Sequence, residues 1–383
     1  MPTLPFAGLR VVALEQAVSA PFCSRQLADL GADVIKIERP DGGDFARAYD
    51  SAVNGLSAYF AWLNRGKRSI ALDVKSEHGR AVCAKLIAGA DVFLHNLAPG
   101  AVERLGFGYD ELAARHPRLI WCGVSGYGPN GPYRDKKAYD MLVQAESGVV
   151  SLTGTPESPA KVGVSMADIS SGLYAYSSVL AALYARERSG RGERIDISMF
   201  ECLTEWMMPP MYVWMGTGEI PPRNGVRHNM IAPYGAYPCA DGNVVFGIQS
   251  EREWARFCAQ VLCQPDLAAD ARFKTNAERV RNRERLDRIV ESAFARVSRP
   301  ELIERLDRAG IASAAMNDTA AAARHPQLAA RHRWTEAPSP AGPIRALIPP
   351  HNLHGAPPVI GHIPALGEHT REILAELGME DAS

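Results

Sequence analysis

Apolar and polar positions alternate in two rhythms over the first 125 residues. Residues 9–14 (Leu9 to Leu14) form a short, nearly continuous apolar run, the pattern of a strand buried on both faces of a parallel sheet. From Pro21 to Leu30 the apolar positions Phe22, Leu27 and Leu30 recur at helical spacing, and Gly31 ends the run. Residues 33–38 form a second strand, closed by Arg39-Pro40 and the turn at 41–44. Strand, helix and strand within about 30 residues make a βαβ unit. The rhythm repeats, with strands at 69–73, 91–96 and 119–124 and helices at 77–88 and 109–114. It predicts an α/β chain whose large domain is a Rossmann-like, doubly wound parallel sheet. Ligands in such sheets bind beyond the carboxyl ends of the strands.

The pattern then changes. A long helix is predicted over 169–188, with apolar residues at 173, 176, 179, 180 and 183, stopped by Ser189-Gly190-Arg191-Gly192. A strand follows at 194–199. Residues 200–215 are very apolar and read as core or as a subunit contact. Glycine, proline and arginine gather at 216–229, the composition of a linker. The stretch 230–318 reads as a small α+β domain. Its segments 233–239 and 243–248 flank Asp241-Gly242 as in a hairpin. Helices are predicted after it at 251–262, 282–295 and 300–309. Proline and glycine recur from 337 to 364, an extended segment that must lie along something else, before a last helix at 368–377.

Composition removes several function classes. The 383 residues carry a formal net charge of −1, so no basic signal points to nucleic acid or an anionic membrane. The seven cysteines are scattered, without CxxC spacing, as expected for reduced thiols in a cytoplasmic protein. The histidines at 325, 332, 351, 354, 362 and 369 lack metal-ligand spacing, so no metal is expected. No basic stretch followed by an apolar run opens the chain, and no apolar run reaches about 18 residues, so no membrane span is expected. Neither GxGxxG after the first strand nor GxxxxGK[ST] is present, which argues against NAD and nucleoside triphosphates.

The candidate chemistry gathers in the glycine-rich region 121–172. Asp140 and Asp168 sit near its two ends, and Asp168 falls at a predicted helix start, where the dipole favours an ionised carboxylate. Taken locally, an aspartate there is first of all an N-cap. A bare carboxylate in a tight, apolar place is also what covalent catalysis by aspartate requires. Arg39, Lys67 and Arg104 stand near strand ends, and three such cations converging on one sheet edge would suit phosphates.

Several motifs in order resemble the class III CoA-transferases, over nearly the whole chain. They are Leu30 to Pro40, Asn64 to Arg68, Asn96 to Gly106, Ser125-Gly126-Tyr127-Gly128, Ala167-Asp168 with Gly172, and Ser189-Gly190-Arg191-Gly192. The resemblance implies that Asp168 is the nucleophile and that coenzyme A is held by Arg39, Lys67, Arg104 and Lys137. Asn96 and Leu97 would line its path, and Gln16, Val18, Ser19 and Asn64 complete the implied binding set. Tyr139 and Asp140 would orient the substrate, with oxyanions held by backbone N–H groups near Gly126 to Gly128. The resemblance also implies a homodimer of two chains linked like rings. Residues 1–215 and 319–383 would build the large domain, the latter including a returning linker, with the linker 216–229 leading to the small domain 230–318.

Formyl-CoA transferase has a glutamine where Val18 stands, and a run of glycines where this chain has Arg227 to Tyr234. Formyl-CoA and oxalate are therefore not the expected substrates. Arg47 and His228, with Arg223 and Arg227 nearby in sequence, are candidates to meet a second carboxylate. The expectation is transfer from succinyl-CoA, or a similar donor, to a small dicarboxylate such as mesaconate, itaconate or citramalate. Two alternatives stand beside it. The related alpha-methylacyl-CoA racemases carry a histidine where this chain has Tyr139, and a phenol of pKa about 10 is a poor base. A non-catalytic CoA-binding protein would have no need of Asp168 among its glycines.

Overall fold

A computed structural model describes residues 4–380, and the chain forms two compact units. The first comprises the residues up to 149, 162–208 and those from 327 on. Its centre is a six-stranded parallel sheet of β1 (Arg10–Leu14), β2 (Asp33–Glu38), β3 (Lys67–Ala71), β4 (Val92–His95), β5 (Ile120–Ser125) and β6 (Arg194–Ser198), in the order β3-β2-β1-β4-β5-β6. The chain direction across the sheet reverses between β1 and β4, the switch point at which α/β sheets open a ligand crevice. Val12 lies between Ile35 and Phe93 in register, and all three are fully buried. β3 starts two residues before the predicted strand, because Lys67 pairs with Val34 and Arg68 with Ile35.

The helices of this part are α1 (Ser19–Asp29), α2 (Ala58–Asn64), α3 (Glu77–Ala88), α4 (Ala101–Arg104), α5 (Tyr109–Arg115), α6 (Asp140–Glu146), α8 (Met166–Ser189) and α9 (Met199–Trp206), while the single turn α7 (Val149–Leu152) and α10 (Met208–Thr217) carry the chain into the second unit. One core layer joins Val12, Ile35 and Phe93 to Val82, Leu86 and Ile87 of α3. Ile373 and Leu374 of the C-terminal helix Thr370–Glu376 complete it. α10 has no buried residue, and Tyr212, Trp214 and Met215 are more than half exposed. The apolar run there is not core within the chain.

The predicted extended segment begins instead with a hairpin, β10 (Trp334–Ala337) with β11 (Ile344–Leu347). Beyond it the chain does run along the first unit. Val359 donates its N–H to the Asp29 carbonyl at 2.8 Å, and Gly66 donates to the His362 carbonyl at 2.7 Å.

The second unit comprises residues 150–161 and 209–326. Its antiparallel sheet has the order β7 (Tyr234–Cys239), β8 (Gly242–Gly247), β9 (Ser313–Ala315). Phe246, Trp254, Phe257 and Phe294 fill its core. Cys239 pairs with Gly242, so the hairpin turn is Ala240-Asp241, one residue before the predicted one. The expected linker 216–229 is ordered within this unit. Arg223 donates to the Thr155 and Pro156 carbonyls, both at 2.9 Å, and Arg227 pairs with Asp287 and Glu291. Guanidinium forks hold a segment that its glycine and proline content alone would leave loose.

Candidate active site

α8 enters its first turn without a cap of its own. Ser165, at the N-cap position, makes no side-chain cap hydrogen bond, with ψ at 72° instead of extended. Asp168 stands in the first turn, so the reading as an N-cap is corrected. The cap comes from Asp140, the first residue of α6. Its Oδ1 accepts the Ala167 N–H at 2.8 Å and the Asp168 N–H at 3.4 Å, from 27 residues away in the first case. The Asp168 carboxylate has no hydrogen-bond or ion-pair partner among the described residues. Burial, and then the like charge of Asp140, push its pKa up to about 7 from an ordinary 3.8. A helix N-terminus was expected to favour the ionised form. It does not do so here, because Asp140 already occupies the N–H groups that would stabilise that charge.

The position of α8 depends on Gly172. A Cβ there would lie 2.4 Å from the Ser19 carbonyl oxygen and 3.0 Å from the Phe22 Cβ. Only glycine lets the first turns of α8 and α1 approach this closely. Gly172 is one helical turn from Asp168, so the N-terminus of α1 faces the carboxylate's end of α8. The N–H groups of Val18, Ser19 and Ala20 at that terminus have no acceptor among the described residues. By contrast, the Gly128 N–H, an expected oxyanion donor, is engaged by Ser125 Oγ at 3.1 Å.

Phenols surround the same place. The Tyr59 hydroxyl is 3.1 Å from Ser165 Oγ, and the rings of Tyr49 and Tyr59 are 5.9 Å apart. Burial and the charges of Asp44 and Asp168 push the Tyr49 phenol up to about 12. Tyr139, expected to orient substrate, is the N-cap residue of α6 and 66% exposed. Sequence reasoning missed Tyr49 and Tyr59, which no local motif distinguishes from the chain's other aromatics.

A cavity of about 1000 Å³ opens at the carboxyl ends of β1 and β2. Gln16, Arg39, Leu97 and Arg104 line it, together with Lys75 and Arg80, which sequence reasoning did not single out. The latter two follow β3, where the crevice rule alone would have placed them. Asn96 fixes the loop between cavity and α1. It accepts the Gln16 N–H at 2.9 Å and donates to the Gln16 carbonyl at 2.8 Å and to Ser19 Oγ at 3.1 Å. Val18 and Ser19, at the start of α1, are buried beside it.

Three residues of the expected site have their polar groups engaged within the protein. Lys67 is buried, and its ammonium spends all three N–H donors, on Glu15 at 2.7 Å, Asn64 at 3.0 Å and the Pro21 carbonyl at 3.2 Å. Burial lowers its pKa to about 8, against the pull of Glu15. Asn64 is fully buried and serves Lys67 and the Phe60 carbonyl. Arg47 is forked onto Glu38 at 2.7 and 2.8 Å and lies over the Phe60 ring. These groups build a buried charge network with Lys36 and Asp44 beneath the loop. Lys137 is exposed and is not among the cavity's lining residues. In the second unit His228 accepts the Met230 N–H at 3.1 Å and stacks on Tyr234.

The sequence profile of CoA-transferase family III matches residues 6–370. An acetyl-CoA:oxalate CoA-transferase of Acetobacter aceti is 38% identical over 93% of this chain and 93% of its own. A succinate–glutarate CoA-transferase of Agrobacterium fabrum is 33% identical over 97% of this chain and 96% of its own. The crystal structure of a CaiB/BaiF family protein from Brucella suis superposes with a TM-score of 0.86 at 34% identity, covering 98% of this chain and 100% of that one. With the profile spanning both units and relatives matching end to end, this chain belongs to CoA-transferase family III and is a transferase of that class.

Proposed function

We propose that this enzyme moves CoA from an acyl-CoA to a small dicarboxylate through covalent intermediates on Asp168. The single observation that carries the reading is an unpartnered Asp168 carboxylate, raised to about 7 by burial and Asp140, at the mouth of α1. A more basic carboxylate is a better nucleophile once ionised. Asp168 attacks the thioester carbonyl, the C–S bond breaks, and CoA thiolate leaves a mixed anhydride. The thiolate attacks the aspartyl carbonyl, releases the donor acid and leaves an aspartyl-CoA thioester. The acceptor carboxylate then expels the thiolate, forming a second anhydride, and the thiolate attacks the acceptor's acyl carbon to free Asp168. The unsatisfied N–H groups of Val18 to Ala20 supply the oxyanion donors in this reading, each worth about 3 kcal/mol.

The cavity suits the nucleotide end of CoA. Arg39, Lys75, Arg80 and Arg104 offer cations to phosphates, and Leu97 and Leu105 offer apolar wall. For the acids, Arg47, Arg223 and Arg227 no longer serve as evidence, since each is paired within the protein. Support comes from relatives whose names specify oxalate, glutarate, D-citramalate, mesaconate and L-malate, all dicarboxylates. Oxalate thereby returns to the candidate acceptors, and acetyl-CoA joins succinyl-CoA among the donors. The test is a donor–acceptor matrix read by mass spectrometry of the CoA products, with Asp168→Ala as control. Preference for monocarboxylates or betaines defeats the dicarboxylate reading, and full activity of Asp168→Ala defeats the nucleophile.

A linked-ring homodimer is part of the proposal. The exposed apolar side chains of α10 support a subunit contact. Sedimentation at high dilution should show dimer alone, and a micromolar monomer–dimer equilibrium would rule linkage out. Among the described residues no helix is long and apolar enough to cross a membrane.

A further inference from the structure

Asp140 can cap α8 only if its carboxylate is held at the right angle, and one side chain does this. Gln144 lies one turn further along α6 and is fully buried. Its Nε2 donates to Asp140 Oδ2 at 2.7 Å and to the Val164 carbonyl at 3.4 Å. Its Oε1 accepts the Val162 N–H at 2.8 Å. All three partners demand the same amide orientation: donors toward the carboxylate and carbonyl, acceptor toward the N–H. One amide therefore pins the chain leading into α8 and the carboxylate that caps α8. Asp140 Oδ2 is spent on Gln144, which leaves Oδ1 aimed at the Ala167 and Asp168 N–H groups.

We propose that Gln144 is a positioning residue of the reaction, acting through Asp140 to fix the first turn of α8 and the charge that Asp168 feels. The inference rests on Asp168 being the nucleophile. It follows from where the amide sits. A buried glutamine that only filled space would not need both ends matched to groups flanking one carboxylate. Among the described residues the charge of Asp140 from α6 acts on Asp168, and Asp168 in turn acts on the Tyr49 phenol, which also feels Asp44, Tyr59 and Tyr139. None is cationic, so the orientation of Asp140 dominates the local field.

Two full-chain variants separate positioning from packing. Gln144→Glu keeps the shape but sets a carboxylate against Asp140 and the Val164 carbonyl. Two buried carboxyls at this distance share one proton, so the added charge reaches Asp168 as that proton leaves, and the acidic limb in kcat/KM is expected to move upward. Gln144→Leu keeps the volume but releases Asp140 and the Val162 N–H. Its kcat is expected to fall about ten- to a hundredfold, the effect of a displaced catalytic group, with KM for acyl-CoA within about twofold. Gln144→Glu with the wild-type acidic limb overturns the proposal, whatever the leucine variant does, and so does an unchanged kcat in a folded leucine variant. Where the leucine variant does not fold, the glutamate profile decides. Asp168→Ala run alongside keeps the two ideas apart: an active Asp168→Ala removes the nucleophile reading itself. An inactive Asp168→Ala with an unshifted Gln144→Glu removes only the role of Gln144.

Discussion

Replacing Asp168 by asparagine should make the protein more stable at alkaline pH while abolishing transfer. Folding holds the Asp168 carboxyl at about 7, against an ordinary 3.8. A carboxyl whose pKa is raised by folding binds its proton more tightly in the native state. Below about pH 4 both states are protonated, and no stability is lost. From about pH 4 to pH 7 the unfolded chain has released the proton and the native state has not, so unfolding stability falls steadily with rising pH. Above about pH 7 the loss is complete. At about 1.4 kcal/mol for each pH unit, the gap between the two values amounts to at most about 4 kcal/mol. Asparagine has no such proton and therefore no such loss. An orphaned buried amide costs about 1–3 kcal/mol, but that cost does not vary with pH. The diagnostic quantity is accordingly the change with pH, not the absolute difference. Denaturant midpoints of wild type and Asp168→Asn at pH 5 and pH 8 measure it, and the variant should gain on wild type by more than about 1 kcal/mol between them. A difference that stays flat, or shrinks, across that interval would refute a raised Asp168.

Four further outcomes follow from the same geometry. The rate of the first acylation, read as CoA release in a single turnover, should fall about tenfold per pH unit below about pH 7, since protonated Asp168 cannot attack; a flat rate down to pH 5 would contradict this. Arg39→Ala and Arg104→Ala should each raise KM for acyl-CoA about tenfold, by loss of a charge-assisted contact in the cavity, and less at high salt. Lys67→Met should destabilise by about 3–5 kcal/mol by leaving Glu15 buried and short of a counter-ion, whereas a CoA contact would change only KM. Gly172→Ala should cost about 1–3 kcal/mol and lower kcat, because a Cβ 2.4 Å from the Ser19 carbonyl forces α8 off α1.

The alternation of strands and helices over residues 9–125 was legible because each strand is buried on both faces and so written as an apolar run. β3 slipped by two residues because Lys67 and Arg68 look like a loop in sequence, yet their backbone pairs with Val34 and Ile35. The same two positions show why site reading from motifs is partial. Asn64-Arg65-Gly66-Lys67-Arg68 is a cluster of cations around a glycine, as a phosphate site would be. In the fold Lys67 turns inward to Glu15, Arg65 to Asp29 and Arg68 to Asp33 and Glu376. A charge run carries no record of which acids will meet it.

By itself the sequence determined the parallel sheet, the long helix ahead of Ser189-Gly190-Arg191-Gly192, the position of Asp168 near that helix's start, and the family through motifs in fixed order. Those properties are local, or depend on the order of residues along the chain. Only the tertiary structure decided the electrostatic state of Asp168. Its cap comes from Asp140 and its neighbouring phenols from Tyr49 and Tyr59, residues 28 to 119 positions away in the chain. A pKa is set by which charges and how much water lie within a few ångströms. That distance is fixed by the sheet order and by the close approach of Gly172 to Ser19, which no reading of neighbours in sequence contains.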